Sequence, residues 1–118
     1  MYASMIAQKP KYDILDYLRV GAKVKADFAC VCTGDSMMNA RILDGDIVYV
    51  VAQDDVEDGE IAVVEYDGTA IIRRVYKRPD GMVLHPENYK YPDIVVDNAE
   101  KQKYRILGKA IVVSSVMR

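Results

Sequence analysis

Gly34-Asp35-Ser36-Met37 sets a serine on a glycine-led turn, directly after the apolar stretch Phe28-Ala29-Cys30-Val31-Cys32. A serine displayed this way is a candidate nucleophile. A free hydroxyl is a poor one until a neighbouring base takes its proton. Two bases are common: a histidine held by a carboxylate, or a lysine made neutral by burial. The chain has 1 histidine, His85, in Leu84-His85-Pro86-Glu87. Beside a proline turn it reads as a turn residue rather than a catalytic base. The lysine route leads to the run Ala70-Ile71-Ile72-Arg73-Arg74-Val75-Tyr76-Lys77. Arg73 and Lys77 share one face of a strand there, because their offset is even, and Arg74 points to the other face.

The elements that position these residues are strands. Phe28 to Thr33 is the first expected strand, and Asp44-Gly45 turns into a strong one, Ile47 to Ala52. Asp58-Gly59 leads into Ile61 to Tyr66. Asp67-Gly68 is the best hairpin signal in the chain and makes Thr69 to Tyr76 its partner strand. Pro79-Asp80-Gly81 precedes Met82 to Leu84, and Ile94 to Val96 is short. Tyr104 to Val116 is a last long strand or bent pair, with Gly108 as a kink. Between Ser36 and Ile42 there is room for one short helical turn. Residues 1–22 read as an arm or linker, with a short helix over Tyr12 to Val20, and 23–118 as the folded domain. The fold class is mostly β, with many short strands and little helix.

Composition narrows the function classes. The 118 residues are one domain's worth of chain, 51% apolar and 29% charged. Lys plus Arg is 16 and Asp plus Glu is 18, a net charge of −2. That balance leaves no basic footprint for gripping phosphate backbones. The longest apolar run, Ile47 to Ala52, is far short of the ~20 residues of a membrane-spanning helix. No signal peptide is visible at the N-terminus, so a soluble, cytoplasmic protein is expected. Cys30 and Cys32 are expected as buried apolar thiols, and no metal or cofactor is expected. Asp54, Asp58, Gly59 and Glu65 fall on calcium-loop positions, but Val56 stands where a ligand belongs, so a hairpin turn with solvated acids is expected.

Five blocks in order carry a resemblance. They are Gly34-Asp35-Ser36-Met37, Ile42-Leu43-Asp44-Gly45-Asp46-Ile47-Val48, Asp58-Gly59-Glu60-Ile61-Ala62-Val63-Val64, Ile71-Ile72-Arg73-Arg74-Val75 and Leu84-His85-Pro86-Glu87-Asn88. Together they resemble the LexA-like self-cleaving serine peptidase domain, the C-terminal domain of LexA, UmuD and lambda-type phage repressors. The resemblance covers nearly everything from Phe28 onward. It implies a LexA/signal-peptidase-like β fold, a homodimer through the C-terminal strand region, and cleavage of a bond in the chain's own N-terminal linker. It also implies a RecA-type coprotease as partner, and DNA contact only through a helix-turn-helix domain that this chain does not encode. Ser36 matches the family's nucleophile, supported by Gly34, Asp35 and Met37 in the turn.

Two departures accompany it. The general-base lysine position holds Arg73. A guanidinium has a pKa above ~12 and cannot take a proton from serine near neutral pH. Lys77 lies about 13 Å further along the strand, out of reach. No Ala-Gly or Cys-Gly bond, the family's usual scissile pair, occurs in the chain. The expectation is therefore a dimerisation domain with impaired peptidase chemistry. The alternative is an active autopeptidase that uses another base, or in which Arg73 is an engineered residue.

Overall fold

The computed structural model describes residues 25–115, together with the backbone of the strand Ala3–Ile6. The helix expected over Tyr12 to Val20, and most of the arm expected over 1–22, lie outside the described residues.

Among the described residues eight strands follow in chain order: β1 (Ala3–Ile6), β2 (Phe28–Cys32), β3 (Ile47–Ala52), β4 (Ile61–Tyr66), β5 (Thr69–Arg78), β6 (Gly81–His85), β7 (Ile94–Asp97) and β8 (Tyr104–Ser114). Among the described residues, helix is confined to two single 3₁₀ turns, Met38–Ala40 and Asn98–Glu100. The mostly-β fold class expected from sequence holds, and β3 and β4 match their expected spans residue for residue. At Asp67-Gly68 both residues have positive φ, 49° and 83°, as a type I′ turn demands. The second 3₁₀ turn was not foreseen. Asp97 caps it by accepting from the Ala99 amide at 2.8 Å, and Glu100 completes a capping box.

The strands form one antiparallel sheet in the order β1-β2-β3-β8-β4-β5-β6-β7. β8 enters between β3 and β4, so the last of the described strands lies in the middle of the sheet. Two register shifts, between Tyr49 and Val50 and between Val63 and Val64, bend it there. The sheet curls far enough that β1 approaches β5.

Curling creates the core. Cys30, Cys32, Met37, Val50, Val63 and Ile72 meet in one buried cluster, and Val64, Ile71, Val75, Leu84 and Val96 are among those in a second. A third, smaller cluster sets Ala29 and Tyr49 against half-buried Ala26, Ile47, Ile111 and Val112.

The two cysteines are buried, and neither forms a disulfide. Burial first, and Cys32 beside it, push the Cys30 thiol up to about 12. Burial, followed by Asp46 and Asp44, pushes the Cys32 thiol up to about 11. Thiolate is the reactive form. An Ellman assay at about pH 8 is therefore expected to count no accessible thiol in the native chain and both after denaturation. Rapid native reaction at either cysteine would overturn that reading.

The acids of the calcium-like loop are engaged locally. The Asp58 carboxylate accepts from the Lys77 amide at 2.6 Å, and the Asp55 carboxylate pairs with the Lys77 ammonium at 2.6 Å. Glu60 accepts from the Glu57 amide at 2.7 Å.

Candidate active site

The turn that carries Ser36 is set by hydrogen bonds to two other loops. Gly34 adopts φ 81°, a left-handed conformation that suits glycine, and its amide donates to the Asp44 carboxylate at 2.5 Å. The Gly45 amide donates to the Cys32 carbonyl at 2.7 Å, and the Cys32 amide to the Asp46 carbonyl at 2.8 Å. Asp46, wholly buried, accepts from the Leu43 amide at 2.8 Å. The Gly34 turn and the Asp44-Gly45 turn therefore form one unit. Met37 is fully buried in the core beneath them and pegs the turn in place.

Ser36 itself is buried. Across from it stands Arg73 on β5, with 5% of its surface exposed. The Arg73 Nη1 donates to Ser36 Oγ at 3.0 Å and to the Ile72 carbonyl at 2.8 Å. The sheet's curl brings together these two side chains, which are 37 residues apart in sequence. β1 lies beside both supports: its residue Ala3 is in register with Cys32, just before the Ser36 turn, and the strand approaches β5.

This geometry has a definite chemical meaning. The guanidinium donates to the hydroxyl and occupies one of its lone pairs. It offers positive charge to an oxygen but has no site to accept the serine proton near neutral pH. The arrangement holds Ser36 Oγ by a donor and supplies no proton acceptor at Arg73.

The other sequence candidates lie elsewhere. Lys77 is engaged by Asp55. Arg74 points the other way, to Glu87 and to the Gly59 carbonyl at 2.6 Å. His85 Nδ1 lies 2.6 Å from the Asp93 carboxylate, and its ring packs edge-on against Tyr76. His85 therefore does have a carboxylate partner, a pairing the sequence pattern did not suggest. Ser36 hydrogen-bonds Arg73, on another strand.

Sequence reasoning missed the loop 86–91. The Asn88 side-chain amide donates to the Asp35 carbonyl at 2.8 Å, and the Asn39 amide donates to the Glu87 carbonyl at 2.8 Å. The Tyr91 hydroxyl and the Lys90 ammonium both reach the Asp35 carboxylate. The hydrogen bond from Tyr91, then that from Lys90, holds the Asp35 carboxyl below its ordinary pKa. The same contact raises the Tyr91 phenol. A groove of about 710 Å³ runs along this loop, lined by Asn39, Asn88, Tyr89 and Tyr91 among others. The hint in the sequence was Asn88 within the Leu84-to-Asn88 block, which carried no assigned role.

Comparison with known proteins agrees with this architecture. A family model described as Peptidase S24-like matches residues 4–111. The chain belongs to that family. It is similar to a LexA repressor of Exiguobacterium sp., 43% identical over 82 residues, covering 69% of this chain and 37% of the relative. It is likewise 35% identical over 89 residues to a LexA repressor of Actinobacillus succinogenes, covering 75% of this chain and 42% of that one. A third LexA repressor, of Syntrophomonas wolfei, is 45% identical over 67 residues, 57% of this chain and 33% of the relative. The chain thus spans about two fifths or less of the length of these curated relatives. No helix among the described residues is long and apolar enough to cross a membrane.

Proposed function

We propose that this chain is the C-terminal domain of a LexA-like, SOS-type transcriptional repressor, that it holds the repressor as a homodimer, and that its self-cleaving chemistry is impaired. In this reading Ser36 is the nucleophile of a Ser-Lys peptidase scaffold, and Arg73 stands in place of the general base. The observation that carries it is the buried hydrogen bond from Arg73 Nη1 to Ser36 Oγ at 3.0 Å. It joins a nucleophile-like serine to a group that cannot deprotonate it. The LexA repressor relatives support the regulatory role. The repressor is cytoplasmic in this reading, and DNA contact rests on a separate helix-turn-helix domain. A RecA-type coprotease is the partner where cleavage persists.

The dimer contact is placed at the C-terminal strand region. The small cluster in which Ile111 and Val112 remain half-buried against Tyr49 supports this. β8 pairs with β4 over Tyr104–Lys109 and with β3 over Gly108–Ser114, so both of its edges are paired together only near Gly108–Lys109.

The test is twofold. The unaltered chain is treated with a fluorophosphonate from about pH 7 to about pH 10 and read by intact mass. No adduct at Ser36 is expected. An adduct would return the chain to the class of active autopeptidases, a reading for which the intact Ser36 turn speaks. Sedimentation velocity is expected to show a dimer, and a monomer at every attainable concentration would sink the dimerisation role.

A further inference from the structure

We propose that Asp35 is a positioning residue for Ser36, held in place by Asn88 and Tyr91 of the 86–91 loop. The chemical role of Ser36 rests on the reading above, whereas the clamp itself rests on geometry alone.

Asp35 directly precedes the serine, so fixing its backbone and side chain sets the direction in which Ser36 Oγ points. Three groups of one loop do this. Asn88 Nδ2 takes the Asp35 carbonyl at 2.8 Å. The Tyr91 hydroxyl donates to Asp35 Oδ1 at 2.5 Å, and Lys90 Nζ lies 3.2 Å from Asp35 Oδ2. The loop also holds the far side of the turn, where the Asn39 amide donates to the Glu87 carbonyl at 2.8 Å. Ser36 is thus tied to this loop from both flanks, while Met37 anchors it from below.

The loop is itself built to hold that shape. Asn88 is buried, its Oδ1 accepts from the Lys90 amide at 3.0 Å, and its carbonyl accepts from the Tyr91 amide at 3.1 Å. Glu87 is tied to Arg74, the residue after Arg73 on β5. One loop therefore registers both halves of the site, the serine turn and the strand that carries the arginine.

The three contacts are not equal. The Lys90 side chain is 70% exposed, and an ion pair so placed contributes little. The Asn88 bond is part-buried, and a phenol donating to a carboxylate is a charge-assisted bond. Asn88 and Tyr91 therefore dominate the positioning.

The test reads the Arg73 guanidinium in a ¹⁵N-labelled native chain, since its signals report the contact with Ser36. Tyr91→Phe removes one oxygen and keeps the ring. It is expected to move the Arg73 Nε and Nη resonances and to speed their solvent exchange several-fold. Asp35→Ala is expected to do the same, and the double variant no more than either single, because both break the Tyr91–Asp35 bond and the exposed Lys90 pair that Asp35→Ala also removes contributes little. Lys77→Met, on the same strand but paired to Asp55, serves as the control and is expected to leave those signals in place. A second arm uses an Arg73→Lys background, in which Tyr91→Phe is expected to slow fluorophosphonate labelling of Ser36 by about 10-fold to 100-fold without moving its pH midpoint. If Tyr91→Phe lowers the melting temperature yet leaves the Arg73 resonances unmoved, Asp35 is merely structural and the proposal falls. If Arg73→Lys does not label at all, the peptidase reading fails, and the resonance arm still decides the clamp.

Discussion

Arg73→Lys is expected to make Ser36 react with a fluorophosphonate at least about 100-fold faster than the unaltered chain, with the rate rising as pH rises. The magnitude is what a positioned general base contributes. The geometry permits the exchange. Arg73 Nη1 reaches Ser36 Oγ while also bonding the carbonyl of the preceding residue, so its side chain folds back rather than extending fully. A lysine, one bond shorter, covers the same point when extended. At a position only 5% exposed, desolvation disfavours the ammonium and pulls the lysine pKa down. Above that lowered value the amine is neutral and takes the serine proton, whereas arginine stays charged throughout.

The same variant ties folding to pH. The unfolded chain binds the lysine proton up to the ordinary lysine pKa, while the folded chain has already released it. Stability therefore rises with pH between those two values and is lost as pH falls through the folded one. Labelling at intact mass and melting temperature against pH check the two halves separately. A folded Arg73→Lys chain that never labels would remove Ser36 as nucleophile. Equal labelling with and without the substitution would mean that another group activates the serine.

Gly108→Ala is expected to cost about 3 kcal/mol or more, lowering the melting temperature by about 10 °C or more in a domain of this size. The added methyl would stand 2.4 Å from the Val51 carbonyl oxygen and 2.5 Å from Val50 Cγ1. Gly108 lies on β8 between β3 and β4, so neither neighbour can step aside without breaking a ladder. Gly81 meets a closer obstacle, the Val96 carbonyl at 1.9 Å, but there the obstacle is β7 at the end of the strand order, which can peel away. Gly68→Ala is the useful control. Its methyl would meet open space, and only the φ of 83° opposes it, at about 1–2 kcal/mol. A Gly108→Ala chain that melts with the unaltered one would show that β8 is not held between two strands.

Much of the fold is written locally. Ile47 to Ala52 and Ile61 to Tyr66 read as strands because they are apolar, partly β-branched and cut off by Asp-Gly turns. Asp67-Gly68 specifies its hairpin because a type I′ turn needs two positive φ values, which that pair tolerates. The expected end of the last strand, Val116, lies outside the described residues. The placement of β8 was not legible, because its two apolar faces fit a central strand and a dimer strand alike. The strand Ala3–Ile6 falls within the stretch read as an arm, and four residues of weak pattern carry no signal of the partner they find in β2.

The candidate site divides along the same line. Ser36 on its glycine turn is a matter of residue type and spacing, and Arg73 at the position of the base lysine is what the resemblance to the LexA-like family implies; both can be read without any coordinates. That Arg73 meets the Ser36 hydroxyl rather than solvent was decided by the curl of the sheet, which folds β5 back towards the end of β2. The clamp on Asp35 was decided there too. Its donors, Asn88 and Tyr91, come from a loop more than 50 residues away, and a hydrogen bond between distant loops leaves no periodicity or turn signal in the chain that makes it.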